Sequence, residues 1–253
     1  MEESSKTQYY EQFVNNLKTN ETVQNYLIER GFNLDFIKSG NFGFCSSYSK
    51  YMFPLLRGRV VVPIHDCNGT LIALAGRQFQ PFEEMTIQSF WDSFGHEPAK
   101  AQDRVSKWRK GKWLNEPYQK SKHLFNLDKA KHDIRINNLV YIVEGYFDTL
   151  ILSSLGIKNV VATCGTALSE HHLTLLFRYC DRIVLMLDGD DAGMLASEKM
   201  LDKIENVEME GYRLVLPNKY DPDTFLLEFG IDTFKDISEK LLVNRNRIMK
   251  IKL

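Results

Sequence analysis

Leu139-Val140-Tyr141-Ile142-Val143-Glu144-Gly145 reads as a buried strand that stops at an acid and a glycine. The run is apolar without alternation, as expected of a parallel strand covered on both faces. Downstream, the same unit recurs. Phe147–Leu155 is helical and ends at Gly156, and Asn159–Thr163 is a second strand followed by Gly165-Thr166. Ser169–Tyr179 is a helix, and Arg182–Leu187 a third strand ending at Asp188-Gly189-Asp190. Ala192–Ile204 is a helix, Tyr212–Leu216 a fourth strand and Pro222–Phe229 a short helix. Strands alternating with helices imply a parallel sheet with helices on both faces.

In open α/β sheets functional residues gather at the carboxyl ends of the strands. Glu144 ends one strand, and Asp188 and Asp190 end another. Asp148 lies one turn into the helix after Glu144, and Asp221 and Asp223 follow the fourth strand. These carboxylates are therefore expected on one edge of the sheet. Facing one another, they repel and shift their pKa values upward unless a cation sits between them. Oxygen ligands without His or Cys select magnesium, with manganese as a substitute. Magnesium beside phosphates points to phosphoryl transfer. Gly145 and Gly189, beside the acids, let backbone or a phosphate come close. Taken singly, any of these acids reads equally as a helix cap or a solvated turn.

The region upstream is less regular. Tyr9–Lys18, Thr22–Arg30 and Leu34–Lys38 read as helices. Arg59–His65 and Leu71–Ala75 read as two strands joined by Asp66-Cys67-Asn68-Gly69, with Asn-Gly as the hairpin signal. Residues 80–108 form an irregular insertion with one helix near Met85–Phe94, and His123–Lys131 is helical.

Charge divides along the chain. The whole has net charge −1, but Lys50–Val140 holds fifteen Lys/Arg against nine Asp/Glu, and Tyr141–Leu253 thirteen against eighteen. A basic segment followed by an acidic one suits a protein that holds a phosphate backbone with one part and metal ions with the other. Arg57, Arg59, Arg77, Lys112 and Lys120 are candidates for gripping phosphate, Arg as a fork and Lys as a point charge. Trp113 and Asn115 sit among them. Trp113 would stack on a base or pack in the core.

Cys45, Cys67, Cys164 and Cys180 show no C-x-x-C spacing, so no zinc ribbon and no disulfide framework is expected. The six histidines suggest no metal site; neighbouring His171 and His172 point to different sides of a helix. Apolar runs are strand-length, far short of a membrane span. Met1 is followed by acidic and polar residues, so the expected location is cytoplasmic.

Four of these segments resemble the Toprim domain of DnaG-type primases, type IA and II topoisomerases and some nucleases. They are Glu144-Gly-Tyr-Phe-Asp148, Gly165-Thr-Ala-Leu168, Asp188-Gly-Asp-Asp-Ala-Gly193 and Asp221-Pro-Asp223. The wording resembles that of the bacterial DnaG-type primase branch. Upstream, Arg57-Gly-Arg-Val-Val-Val-Pro-Ile-His-Asp66, Ala75-Gly-Arg77, Lys112-Trp-Leu-Asn115 and Tyr26-Leu-Ile-Glu-Arg-Gly31 resemble segments of the same catalytic core. The resemblance implies a Toprim-type parallel sheet flanked by helices, preceded by a smaller α+β basic subdomain. It divides the chain into a template- and nucleotide-binding part at 1–137, a Toprim part at 138–230 and a helical tail at 231–253.

By the same resemblance, Glu144, Asp188 and Asp190 hold the catalytic metals, and Asp148, Asp221 and Asp223 support them. Arg59, Arg77, Lys112, Asn115 and Lys120 contact template and nucleotide. The implied activity is synthesis of short RNA primers on single-stranded DNA from ribonucleoside triphosphates, with a replicative helicase as partner. The family's N-terminal zinc-binding and C-terminal helicase-binding domains have no counterpart here. That leaves either a catalytic core excised from a longer chain or a streamlined primase of a phage or mobile element. The alternatives are a Toprim nuclease and a non-catalytic replisome accessory protein. A topoisomerase would need a catalytic Tyr in a further large domain.

Overall fold

The computed structural model describes residues 3–46, 49–51, 53–79, 111–188, 191–217, 220–243 and 248–251. The chain forms two compact units: Met1–Ile64 with Leu71–Tyr118, and His65–Thr70 with Gln119–Leu253. The sequence boundary at 137/138 thus differs from the structural one. The turn 65–70 and helix Leu127–Asn137 go with the second unit because their contacts lie there. Lys131 Nζ donates to the Cys67 carbonyl (2.8 Å), and His65 Nδ1 lies 3.5 Å from Asp128 Oδ2.

In the first unit, helices α1 (Glu3–Lys18) and α2 (Glu21–Glu29) precede a short turn of helix, α3 (Leu34–Phe36). Asn20 and Asn33 cap α2 and α3, their side chains accepting from the N–H groups of Val23 (3.0 Å) and Phe36 (2.8 Å). Four strands follow: β1 (Gly43–Cys45), β2 (Arg59–His65), β3 (Leu71–Arg77) and β4 (Trp113–Asn115), hydrogen-bonded in the order β1-β2-β3-β4. The hairpin expected at Asp66–Gly69 is present. Asp66 Oδ1 accepts the N–H groups of Asn68 and Thr70 (both 2.9 Å), which locks the turn. Tyr10, Phe13, Tyr51, Leu56, Val61 and Leu74 form the core. Strands β1 and β4 were not expected from sequence, since three residues carry too little periodicity. The insertion at 80–108, with its helix near 85–94, lies outside the described residues.

The second unit is a five-stranded parallel sheet in the order β6-β5-β7-β8-β9. Its strands are β5 (Leu139–Val143), β6 (Val160–Ala162), β7 (Arg182–Leu185), β8 (Glu210–Val215) and β9 (Ile248–Lys250). The helices are α4 (Leu127–Asn137), α5 (Tyr146–Ser154), α6 (Glu170–Leu176), α7 (Asp191–Glu205) and α8 (Pro222–Val243). Val140, Ile142, Val161, Ile183 and Leu185 pack with Leu173, Leu176 and Ile204 in one apolar cluster. α5 is buried over seven consecutive residues, Tyr146–Leu152, so it sits between the sheet and further structure. α8 packs against α5 and also reaches strand β5 of the sheet. The Tyr141 ring lies 5.3 Å from that of Phe234, and the Tyr141 hydroxyl is hydrogen-bonded to Ser238.

Two sequence expectations change. The predicted helix at 123–131 begins at Leu127, because Phe125 bridges Ala162 and Asn126 turns the chain with φ 71°. The predicted helical tail at 231–253 is instead a continuation of α8 past a break at Gly230 (φ 79°), then a strand. β9 pairs in parallel with β8, Arg213 opposite Ile248. At three residues it is too short to read as a strand.

Candidate active site

The sheet order sets where a ligand belongs. From β5 the chain steps to β6 on one side, then crosses back to β7 on the other. In such sheets the crevice at that reversal, outside the carboxyl ends of the strands, is the binding site. β5 and β7 pair in parallel with Ile142 opposite Leu185. Glu144 and Asp188 therefore leave the sheet from the carboxyl ends of adjacent strands, at the point of reversal.

Three further acids meet near this edge. Oxygen atoms of Asp148, Asp221 and Asp223 all lie within 4.8 Å of one another. Each is placed by a helix start. Asp148, in the first turn of α5, folds back so that Oδ2 accepts the Gly145 N–H (2.9 Å). Asp221 caps α8, its Oδ1 accepting the Thr224 N–H (3.0 Å). Pro222 occupies the first position of that helix, where no amide donor is needed. Asp223 follows it into the interior and is 1% exposed.

The electrostatics show the repulsion that the sequence implies. Burial raises the Asp148 carboxyl to about 8, and the charges of Asp223, Asp221 and Asp188 push the same way; only the Gly145 N–H opposes them. A cation among these carboxylates would relieve that repulsion. All-oxygen donors at this spacing fit a hard divalent ion.

Glu144 borders a cavity of about 540 Å³ formed with Thr163, Thr166, Lys199 and Met200 among others. Its carbonyl accepts the Cys164 N–H (2.9 Å), which ties the loop after β6 to the end of β5. Lys120 is placed at that loop, Nζ donating to the Cys164 carbonyl (2.7 Å). It belongs to this unit and not to the basic one to which the sequence assigned it. Asp190 and Gly189 lie outside the described residues. The structure therefore gathers the acids read from sequence as supporting ones. Of the three read as catalytic, Asp188 adds its charge to the cluster and Glu144 lines the neighbouring cavity. Of the cavity residues, Thr166 lies in the Gly165–Leu168 segment read from sequence, though without a role, while Thr163 and Lys199 were missed; nothing in their spacing marks them.

The basic candidates of the first unit divide. Arg59 is fully buried, and its guanidinium donates to the Gly111 carbonyl (2.9 Å). Burial lowers its pKa to about 10. It holds the strands together and presents no surface to a phosphate, which corrects the expectation for it. Arg77 Nε donates to the Tyr26 hydroxyl (3.1 Å), and the guanidinium lies 5.5 Å from the Trp113 ring centre. Trp113 is half-buried on β4 beside Arg77. Asn115 is half-buried, and Lys112 is exposed. Arg57 is half-buried, and its pKa is lowered by burial.

His172 is fully buried and caps α6. Nδ1 accepts the Ser169 N–H (3.3 Å), so Nε2–H donates to the Lys120 carbonyl (2.8 Å). Both ring nitrogens are thus engaged by backbone. No disulfide joins Cys45, Cys67, Cys164 and Cys180. No helix among the described residues is long and apolar enough to cross a membrane.

Residues 141–226 match the family described as Toprim-like. A DNA primase of Aquifex aeolicus (strain VF5) is 35% identical over 176 residues, covering 68% of this chain and 30% of that protein. The chain spans about a third of the length of the curated relatives it matches. The crystal structure of the zinc-binding and RNA polymerase domains of the Aquifex aeolicus primase superposes with a TM-score of 0.71 at 27% identity. The match covers 90% of this chain and 58% of that one. A DnaG primase catalytic domain solved bound to single-stranded DNA shares the fold, with a TM-score of 0.72 at 23% identity over 94% of this chain and 79% of that one. Residues 141–226 therefore form a Toprim-like domain, and the chain is similar over most of its length to the catalytic core of DnaG-type primases.

Proposed function

We propose that this chain is the catalytic core of a DNA primase, a nucleotidyltransferase that joins ribonucleoside triphosphates into short RNA primers on single-stranded DNA. The observation that carries the reading is the convergence of Asp148, Asp221 and Asp223 at the strand-end edge of a Toprim-like sheet. Similarity to primase sequences and to a primase RNA polymerase domain over most of the chain supports it. The fold shared with a domain solved on single-stranded DNA supports the template as partner.

In this reading Asp148, Asp221 and Asp223, with Glu144, Asp188 and Asp190 beside them, hold magnesium or manganese. Ions held by these residues would supply charge neutralisation at the nucleotide phosphates and would favour ionisation of the attacking ribose hydroxyl. The chain's own work is placement. Asp148 is held by the Gly145 N–H, so its second oxygen keeps a set direction. Lys112, exposed beside Trp113 and Asn115, offers charge to the template backbone. Lys120, at the loop after β6, stands on the acidic unit where a nucleotide phosphate would come. A replicative helicase is the expected partner in the cell.

The test is primer synthesis on random single-stranded templates with labelled ribonucleotides, with magnesium, with manganese and with chelator. Metal-dependent RNA product is expected. Asp148→Asn and Asp188→Ala should each lower it by roughly 10²-fold or more while template binding stays within about twofold. Shortened template without RNA would show a nuclease instead, and no metal-dependent product at all would show a binding protein.

A further inference from the structure

Beneath the acidic edge lies a buried cation that the proposed chemistry does not use. Arg213, on β8, is 4% exposed and sits opposite Leu185 of β7, three residues before Asp188. Its guanidinium reaches across to the first turns of α7. NH1 donates to the Met194 carbonyl (3.2 Å) and to Ser197 Oγ (2.9 Å). Ser197, itself 1% exposed, donates to the same carbonyl (2.7 Å). The anionic partner is Glu198, 3.6 Å away and 59% exposed, so it offsets little of the cost of burial. Nε is buried and finds no acceptor among the described residues. An apolar residue would fill this position at lower cost.

Arg213 grips the segment that must be rigid. The chain from Asp188 to Met194 carries the acids after β7 into α7. A Cβ on Gly193 would stand 2.3 Å from the Asp188 carbonyl oxygen, so the start of α7 packs closely on the chain just past β7. Arg213, Asp188, Gly193, Met194 and Ser197 border one small void of about 10 Å³. The arginine thus ties the first turns of α7 to β8, the strand next to the one that ends before Asp188.

We propose that Arg213 is a positioning residue for the cation site. Its hydrogen bonds to Met194 and Ser197 hold the start of α7 against β8, and so set where the carboxylate of Asp188 stands. The inference rests on the reading of the acidic edge as a divalent-cation site, and it adds that the affinity of that site is set from beneath by a group that touches neither metal nor substrate.

The test uses the full chain carrying Arg213→Met, Arg213→Lys or Ser197→Ala. Free Mn²⁺ is followed by electron paramagnetic resonance, and amide hydrogen exchange is followed over Asp191–Ser197. Arg213→Met is expected to weaken Mn²⁺ binding about tenfold, in the range seen when groups behind metal ligands are removed. The metal concentration for half-maximal nucleotide incorporation should rise by the same factor, with the rate at saturating metal within a few-fold. Exchange over 191–197 should speed up. Arg213→Lys, which keeps a donor, should recover part of the affinity, and Ser197→Ala should lose a few-fold. Should Arg213→Met not fold, Ser197→Ala and Arg213→Lys decide on the same criteria. Folded variants that bind Mn²⁺ as the wild type does would overturn the proposal. A wild type that binds no Mn²⁺ would remove the cation site itself, and the inference with it.

Discussion

Asp148 is the residue at which burial and repulsion meet. Its folded pKa of about 8 stands above its ordinary value of 3.8. A carboxyl raised in the folded state binds its proton more tightly there, so metal-free stability is greatest below about pH 4 for this group and is lost as pH rises toward 8. Asp148→Asn removes that dependence. In chelator near pH 9 the variant should melt several degrees above the wild type, while near pH 4 the two should coincide. Magnesium should raise the melting temperature of the wild type at the higher pH and do little for the variant. A wild-type melting temperature that does not fall with pH in chelator would count against the cluster. Gly193 gives a second single-residue prediction. A methyl group there meets the Asp188 carbonyl, so Gly193→Ala should lose about 2 kcal/mol or more and most primer synthesis, read by melting and by incorporation. Single residues are also where the sequence misled most. Arg59 looks like any surface arginine in the string of letters, and only its neighbours reveal that it is buried.

Among the elements, α6 depends on a histidine cap that must stay neutral. Burial lowers the His172 pKa from 6.5 and the charges of His171 and His123 add to this, while hydrogen bonds to the Lys120 and His123 backbone oppose it. As pH falls below about 6.5 the unfolded chain takes up a proton that the folded chain resists, so stability is lost in that direction. His172→Ala should cost about 2 kcal/mol through the lost cap and buried hydrogen bonds, and should flatten the loss below about pH 6.5 in denaturant titrations. A slope unchanged by the substitution would place the acid sensitivity elsewhere. Long buried elements were legible: β5 and α7 fall within a residue of their expected bounds, because five or more residues carry a clear apolar pattern. β1, β4 and β9, at three residues each, are made by pairing and not by propensity.

Across the chain as a whole, charge is divided and so are the expected responses to salt. The basic stretch includes exposed Lys112, one of the side chains proposed to meet template. Lys112→Ala should weaken single-stranded DNA binding by a similar factor on every sequence. It should also reduce the slope of log affinity against log salt by about 0.7, the share of one phosphate contact on a single strand. Loss confined to particular template sequences would instead mean that Lys112 reads bases. The two structural units also cross in sequence, since the turn 65–70 belongs with 119–253.

Local sequence sufficed for strands β5 to β8, the helices between them and the strand-end placement of Glu144 and Asp188. Burial on both faces writes continuous apolar runs, and the shared direction of parallel strands brings their final residues to one edge. Which acids meet depends on packing. Asp148 and the Asp221–Asp223 pair start different helices far apart in sequence, and their approach within 4.8 Å comes from how α5 and α8 dock on the sheet. Packing likewise makes Arg59 and Arg213 interior. A charged side chain is buried only where backbone carbonyls from distant segments converge to accept its protons, and no local pattern of residues records that convergence.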